Sequence, residues 1–142
     1  MAGEVATFVD TNVLIYAHDR TDLRKHHAAR RALELLWEDR SGALSTQVLQ
    51  EFYAVATRKL AAPMPRRDAR DVVSAYSAWQ VVTIEPSLLI SASHLEEAQQ
   101  LSFWDALIIE AARVAGANRL LTEDLQDGRT IEGIRIENPF LE

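Results

Sequence analysis

The chain has 142 residues, of which 48% are hydrophobic and 25% charged, with a formal net charge of −6, the profile of one globular domain, 1–142, able to bury roughly 70% of its unfolded surface. It contains no cysteine, which excludes disulfides, thiolate zinc sites and thiol nucleophiles. No apolar run approaches the roughly 20 residues a bilayer span needs, and no basic segment leading into an apolar one opens the chain, so a cytoplasmic protein with no membrane association is expected.

Val5 to Val9 is a short β-branched and aromatic run, a buried strand by length and composition. Asp10-Thr11-Asn12 interrupts it, and Val13 to Ala17 either continues the strand or opens a short helix. Thr21-Asp22 supplies an N-cap for a helix over 22–39, which Gly42 is expected to stop. Ala43-Leu44 is a minimal strand, and Ser45 or Thr46 caps a helix to about Leu60 with Val48, Leu49, Phe52, Val55 and Ala56 on one face. A helix from about Arg67 to Trp79 follows the prolines at 63 and 65, with Val72, Val73 and Tyr76 inward. Val81 to Ile84 is a strand closed by Pro86, followed by helices over 87–100 and 103–115, the second ending at Gly116. Arg119 to Thr122 and Ile131 to Ile136 are the last strands. Strands alternating with helices predict parallel crossovers, hence an α/β fold: a three-layer α/β/α sandwich with a central parallel sheet of four to five strands.

Four separate segments place an acid where a strand ends or the next helix begins: Asp10, Glu51, Asp105 and Asp124. In an open parallel sheet those positions meet at the carboxyl edge, where ligands bind. Each acid has a structural explanation when taken singly. Asp10 suits a cap, Glu51 a solvated helix face, Asp105 the first turn of a helix capped by Ser102, and Asp124 a turn. Together those explanations weaken. Two carboxylates about 6 Å apart repel by roughly 3 kcal/mol at an effective dielectric near 20, and four would cost on the order of ten kcal/mol. That rivals the whole stability of a domain, about 5–15 kcal/mol. Either the acids are not together, some are protonated, or a cation neutralises them, and for a cation an all-oxygen donor set selects Mg²⁺, or Mn²⁺, over zinc. The four histidines lack zinc-ligand spacing: His26 and His27 are adjacent on a helix, and His18 and His94 stand alone. Such a metal suits phosphoryl chemistry.

The charge is unevenly spread. Residues 1–70 hold 11 Lys/Arg against 9 Asp/Glu, and residues 71–142 hold 4 against 12. Arg20, Arg24, Lys25, Arg30 and Arg31 form one basic group, and Arg58, Lys59, Arg66, Arg67 and Arg70 another. These are either solvated helix faces or a phosphate-binding rim around an acidic centre, with Arg24 and Lys25 as candidate RNA contacts.

FVDTNVLIYA, TQVLQEF, LSFWDALIIEAA and RLLTEDLQDG with a closing IEGIRIENPF resemble, in order and over essentially the whole chain, the PIN-domain nucleases, and more narrowly the VapC-type toxins of bacterial toxin–antitoxin pairs. The resemblance implies a Mg²⁺- or Mn²⁺-dependent endoribonuclease whose catalytic and metal-binding acids are Asp10, Glu51, Asp105 and Asp124. Thr11, Asn12 and Thr122 match accompanying polar positions. It also implies an RNA substrate, a homodimer and a cognate antitoxin as partner. The fourth acid has three candidates, Glu123, Asp124 and Asp127, of which Asp124 has the register. Two other families with an aspartate after the first strand fit poorly. A haloacid-dehalogenase-like phosphatase needs a second aspartate where Asn12 stands, and a receiver domain needs a late lysine that this chain lacks. A PIN-like interaction module without catalysis, or a PIN nuclease in RNA processing, remains as an alternative.

Overall fold

The structure is a computed structural model that describes residues 5–141. Its elements run β1 (Thr7–Val9), α1 (Thr11–His18), α2 (Leu23–Asp39), β2 (Gly42–Ser45), α3 (Thr46–Arg58), α4 (Arg66–Tyr76), β3 (Gln80–Val82), α5 (Pro86–Gln99), α6 (Phe103–Val114), β4 (Arg119–Leu121), β5 (Thr130–Ile131) and β6 (Ile134–Glu137). The sheet order is β3-β2-β1-β4-β6-β5, with every pairing parallel except β5 against β6. Five parallel strands flanked by helices match the α/β sandwich expected from the sequence.

The structure decides one open alternative of the sequence reading and departs from that reading in two local features. Val13 to Ala17 is helical: the Asp10 carboxylate accepts the amide of Thr11 and ends the strand there. The final segment is a hairpin, since Glu132 (φ 52) and Gly133 (φ 78) reverse the chain and pair Ile131 with Ile134. Two successive positive φ values are what a tight two-residue hairpin turn demands. Helix α2 ends at Arg40, in the left-handed region, before Gly42 is reached. Gly42 serves packing instead, because a Cβ there would stand 2.5 Å from the Trp79 ring. Trp79 is itself locked between Trp37 and Tyr76, with ring centroids 5.3 and 4.9 Å away.

Elsewhere the expected signals operate. Asp22 caps α2 through the Lys25 amide, Ser45 caps α3 through Val48, and Ser102 caps α6 through Asp105. Gly116 (φ 74) follows α6 and lets Ala117 close back on the Ala112 carbonyl. Phe8, Leu44, Phe52, Ile109, Leu120 and Ile136 are fully buried at the centre. Burial at roughly 25 cal/mol per Å² makes this apolar layer the main stabilising term and the rigid base for the strand ends.

The topology fixes where a ligand can sit. From β1 the chain steps outward to β2 and β3, then returns across the sheet to β4 on the other side of β1. Right-handed crossovers in opposite directions put their helices on opposite faces, which leaves a crevice between β1 and β4 at the carboxyl edge.

Candidate active site at the carboxyl edge

Asp10 follows β1 and Thr122 to Asp124 follow β4, so the strands on either side of the crevice deliver the two segments. The backbone joins them, with the Asp10 amide donating to the Leu121 carbonyl at 3.0 Å. The side chains then interlock. The Thr122 hydroxyl donates to Asp10 Oδ2 at 2.8 Å, and Asn12 Nδ2 donates to Asp124 Oδ2 at 3.1 Å. Asn12 Nδ2 also lies 3.3 Å from Thr122 Oγ1 and 3.5 Å from Asp10 Oδ2. One amide group thus faces both carboxylates. From α3, Glu51 Oε1 accepts the Thr11 hydroxyl at 2.7 Å.

These residues border an open groove of about 590 Å³. Asn12, Ile15, Tyr16 and Asp19 line it from α1 and its C-cap, and Glu51, Ala54, Val55 and Lys59 from α3 and its C-cap. Both sets recur at i, i+3/i+4 and i+7/i+8, the spacing of a single helix face. Asp105 does not line this groove, but its charge is close enough to raise the pKa of Asp124.

Electrostatics single out Asp10. It is 7% exposed, and its pKa is raised to about 7, first by burial, with the charges of Asp124 and Glu51 adding to the rise. The hydrogen bonds from Thr122 and the Thr11 amide pull the other way. Asp124 also titrates above the usual carboxylate range, from partial burial and then the charges of Asp105, Glu123 and Glu51, against the Asn12 hydrogen bond.

Of the three candidates for the fourth acid, Asp124 faces Asn12 in the groove. Glu123 also lines it but pairs with Lys25 Nζ at 2.8 Å, and Asp127 accepts the Asn138 amide at 2.8 Å. The structure gives both candidate RNA contacts internal partners: Lys25 holds Glu123, and Arg24 donates to the Phe140 carbonyl at 2.6 Å. Lys59 of the second basic group lines the groove instead. His26 and His27 lie with ring centroids 5.4 Å apart, and His26 is engaged by Tyr16 O and Arg20, far from a metal-ligand role.

Among the described residues, no three acidic or histidine side chains are already gathered around one point for a metal ion. The donor chemistry of the rim nonetheless fits a hard cation. Its donors are carboxylate oxygens, and a buried carboxylate held up near 7 gains from a positive neighbour.

The PIN domain family model matches residues 7–127. No curated protein sequence matches the chain significantly. Among solved structures, a toxin–antitoxin complex from Klebsiella pneumoniae is 22% identical, covers 94% of this chain and 98% of its own, and superposes with a TM-score of 0.67. Mycobacterium tuberculosis VapC20, a sarcin-ricin loop cleaving toxin, is 22% identical over 81% of this chain and 87% of its own, with a TM-score of 0.63. DNA-bound VapBC from Salmonella typhimurium is 22% identical over 95% and 98%, with a TM-score of 0.64. At that identity these likenesses concern the fold.

Proposed function

We propose, from the premise that the chain belongs to the PIN domain family, that it is a metal-dependent endoribonuclease and the toxin of a toxin–antitoxin pair. The observation that carries the reading is the interlocked pair Asp10 and Asp124, delivered by strands on either side of the switch point and bridged by the Asn12 amide. A pure binding module gains nothing from burying a carboxylate beside two others. The fold likeness to VapBC complexes and to a toxin that cleaves the sarcin-ricin loop supports the narrower assignment. An antitoxin partner, a homodimer and action on RNA in the cytoplasm belong to the same proposal.

Asp10, Glu51, Asp105 and Asp124 are the residues that would hold Mg²⁺ or Mn²⁺. When bound, such an ion supplies a Lewis acid that activates water and neutralises charge on the phosphate. The chain's own residues do the rest. Thr122 and Asn12 aim the Asp10 and Asp124 carboxylates, and Thr11 aims Glu51. Lys59 offers a cation to the phosphate backbone inside the groove. Trp104, next to Asp105 and 62% exposed, offers an indole face on which an unpaired base can stack.

The test is cleavage of RNA by purified protein with Mg²⁺ or Mn²⁺, in parallel with excess chelator and with Asp10→Asn. Cleavage confined to the metal-supplied wild type is expected. Equal cleavage in chelator, or by Asp10→Asn, would refute the metal site. Growth arrest on inducing the wild type but not Asp10→Asn, in a host without the antitoxin, tests the toxin role. A nuclease active on RNA but harmless in the cell belongs to RNA processing instead.

A further inference from the structure

Lys25 lies on the first turn of α2, outside every motif that carries the family resemblance. Its ammonium donates to Glu123 Oε1 at 2.8 Å and to the Tyr16 hydroxyl at 3.3 Å. It also stands 4.8 Å from the Tyr16 ring centroid and 5.5 Å from that of Phe140, two rings packed edge to face at 5.0 Å. The neighbouring Arg24 grips the Phe140 carbonyl, and Phe140 in turn donates its amide to Asn138 Oδ1. Two successive basic residues of α2 therefore fasten both the C-terminal segment and the loop after β4.

That loop carries Asp124. It begins at buried Thr122, and two side chains tether Glu123: Asn12 Oδ1 accepts its amide at 3.4 Å and Lys25 takes its carboxylate. Asp124 itself is exposed, and its side chain is held by Asn12. Without Lys25, a free carboxylate at Glu123 would stand beside Asp124 with no counter-charge. The Lys25 side chain is only a quarter exposed, and its ammonium already has two partners and two ring faces, a poor arrangement for meeting a phosphate.

We propose that Lys25 is a positioning residue: clasped by Tyr16 and Phe140, it holds Glu123 and so fixes the loop that presents Asp124 to Asn12 and Asp10. The C-terminal Phe140 is part of the same clasp, which makes the last residues of the described chain a working part of the rim. The inference rests on the carboxylate rim being a metal-dependent nuclease site, but its first readout does not.

The experiment compares wild type with Lys25→Met and Lys25→Arg. Hydrogen exchange of the metal-free proteins comes first. In Lys25→Met, amides of residues 122–128 should exchange about threefold to tenfold faster while the β1 and α6 amides are unchanged, with Lys25→Arg near wild type. Mn²⁺ titration should then show an affinity loss of about 10-fold or more in Lys25→Met, the range found when a partner that orients a metal ligand is removed. In RNA cleavage kcat should fall with KM unchanged, and Lys25→Arg should restore most of both. Loop exchange in Lys25→Met equal to wild type would overturn the proposal. So would a rise in KM for RNA at unchanged loop exchange and Mn²⁺ affinity, which would make Lys25 a substrate contact. A wild type that neither binds Mn²⁺ nor cleaves RNA would sink the nuclease reading, and loop exchange would still decide the role of Lys25.

Discussion

Asp10 should destabilise the metal-free protein as the pH rises, and the size of the effect follows from its surroundings. Its pKa goes from 3.8 to about 7 on folding, chiefly by burial. Between those values the folded chain keeps a proton that the unfolded chain has released. The stability present below the lower value is therefore lost progressively until the pH passes about 7. At 1.36 kcal/mol per unit, the full loss is about 4 kcal/mol, of which about 2–3 kcal/mol falls between pH 5 and pH 8. Asp10→Asn removes the titration and keeps the shape, whatever fixed cost the altered Thr122 hydrogen bond brings. The advantage of Asp10→Asn over wild type in chelator should thus grow by about 2–3 kcal/mol from pH 5 to pH 8, roughly 4–12 °C in Tm. Thermal melts of both proteins across that range provide the measurement. A difference between the two proteins that stays constant with pH would refute the assignment of a buried, reluctantly ionised carboxylate to Asp10.

Metal binding should draw on the same group: wild-type Mn²⁺ affinity should fall by about tenfold per unit below pH 7, and by much less in Asp10→Asn, in calorimetric titrations. Asp105→Asn should lower RNA cleavage by about 100-fold or more with an unchanged far-UV spectrum and melt, since the amide serves the first turn of α6 nearly as well. Trp104→Ala should weaken binding of single-stranded RNA by about 1–3 kcal/mol without loss of stability, read in a background of Asp10→Asn. Gly42→Ala should cost about 1–3 kcal/mol in urea unfolding, because the new Cβ meets an indole pinned between two other rings. Each is measured against wild type in one buffer.

What the sequence made legible were features carried by local chemistry. The caps at Asp22, Ser45 and Ser102 and the glycine after α6 all act within a few residues, and the structure has them, whereas strand bounds shifted: the run expected over Val5 to Val9 is a strand only over Thr7–Val9. The carboxyl edge was reachable as well, because alternating strands and helices imply a parallel sheet, while the switch point needed the strand order. Two classes of feature were not legible. Val13 to Ala17 is as apolar as a strand, and the stretch became a helix because Asp10 turned the backbone at its cap. Of the two alternatives left open there, only the helix puts Asn12, Ile15, Tyr16 and Asp19 on one face, the groove wall. Lys25 and Glu123 are 98 residues apart, and no local pattern announces that pair. A cluster of positive residues looks the same whether it meets phosphate or its own chain.

The carboxylate rim also changes the accounting behind the proposed cation. From sequence, four acids at one edge implied mutual repulsion as the dominant cost. In the structure the burden falls unevenly: Asp124 is exposed, Glu51 and Asp105 are half-buried, and Asp10 alone of the four is buried. Burial is the first cause of the Asp10 shift, and the charges of Asp124 and Glu51 rank below its two hydrogen bonds. The rim is therefore one desolvated carboxylate with three more accessible ones nearby, not four equivalent charges. In the proposed site a dry, fixed carboxylate would give a cation a defined seat, while the wetter acids would leave room for water and a phosphate to enter from the groove. Thr122 and Asn12 matter for the same reason. They hold Asp10 in its aim while it is ionised, which burial alone would oppose. Asp-Thr-Asn is thus the place where β1 ends and one buried carboxylate is held rigid, as the proposed site requires.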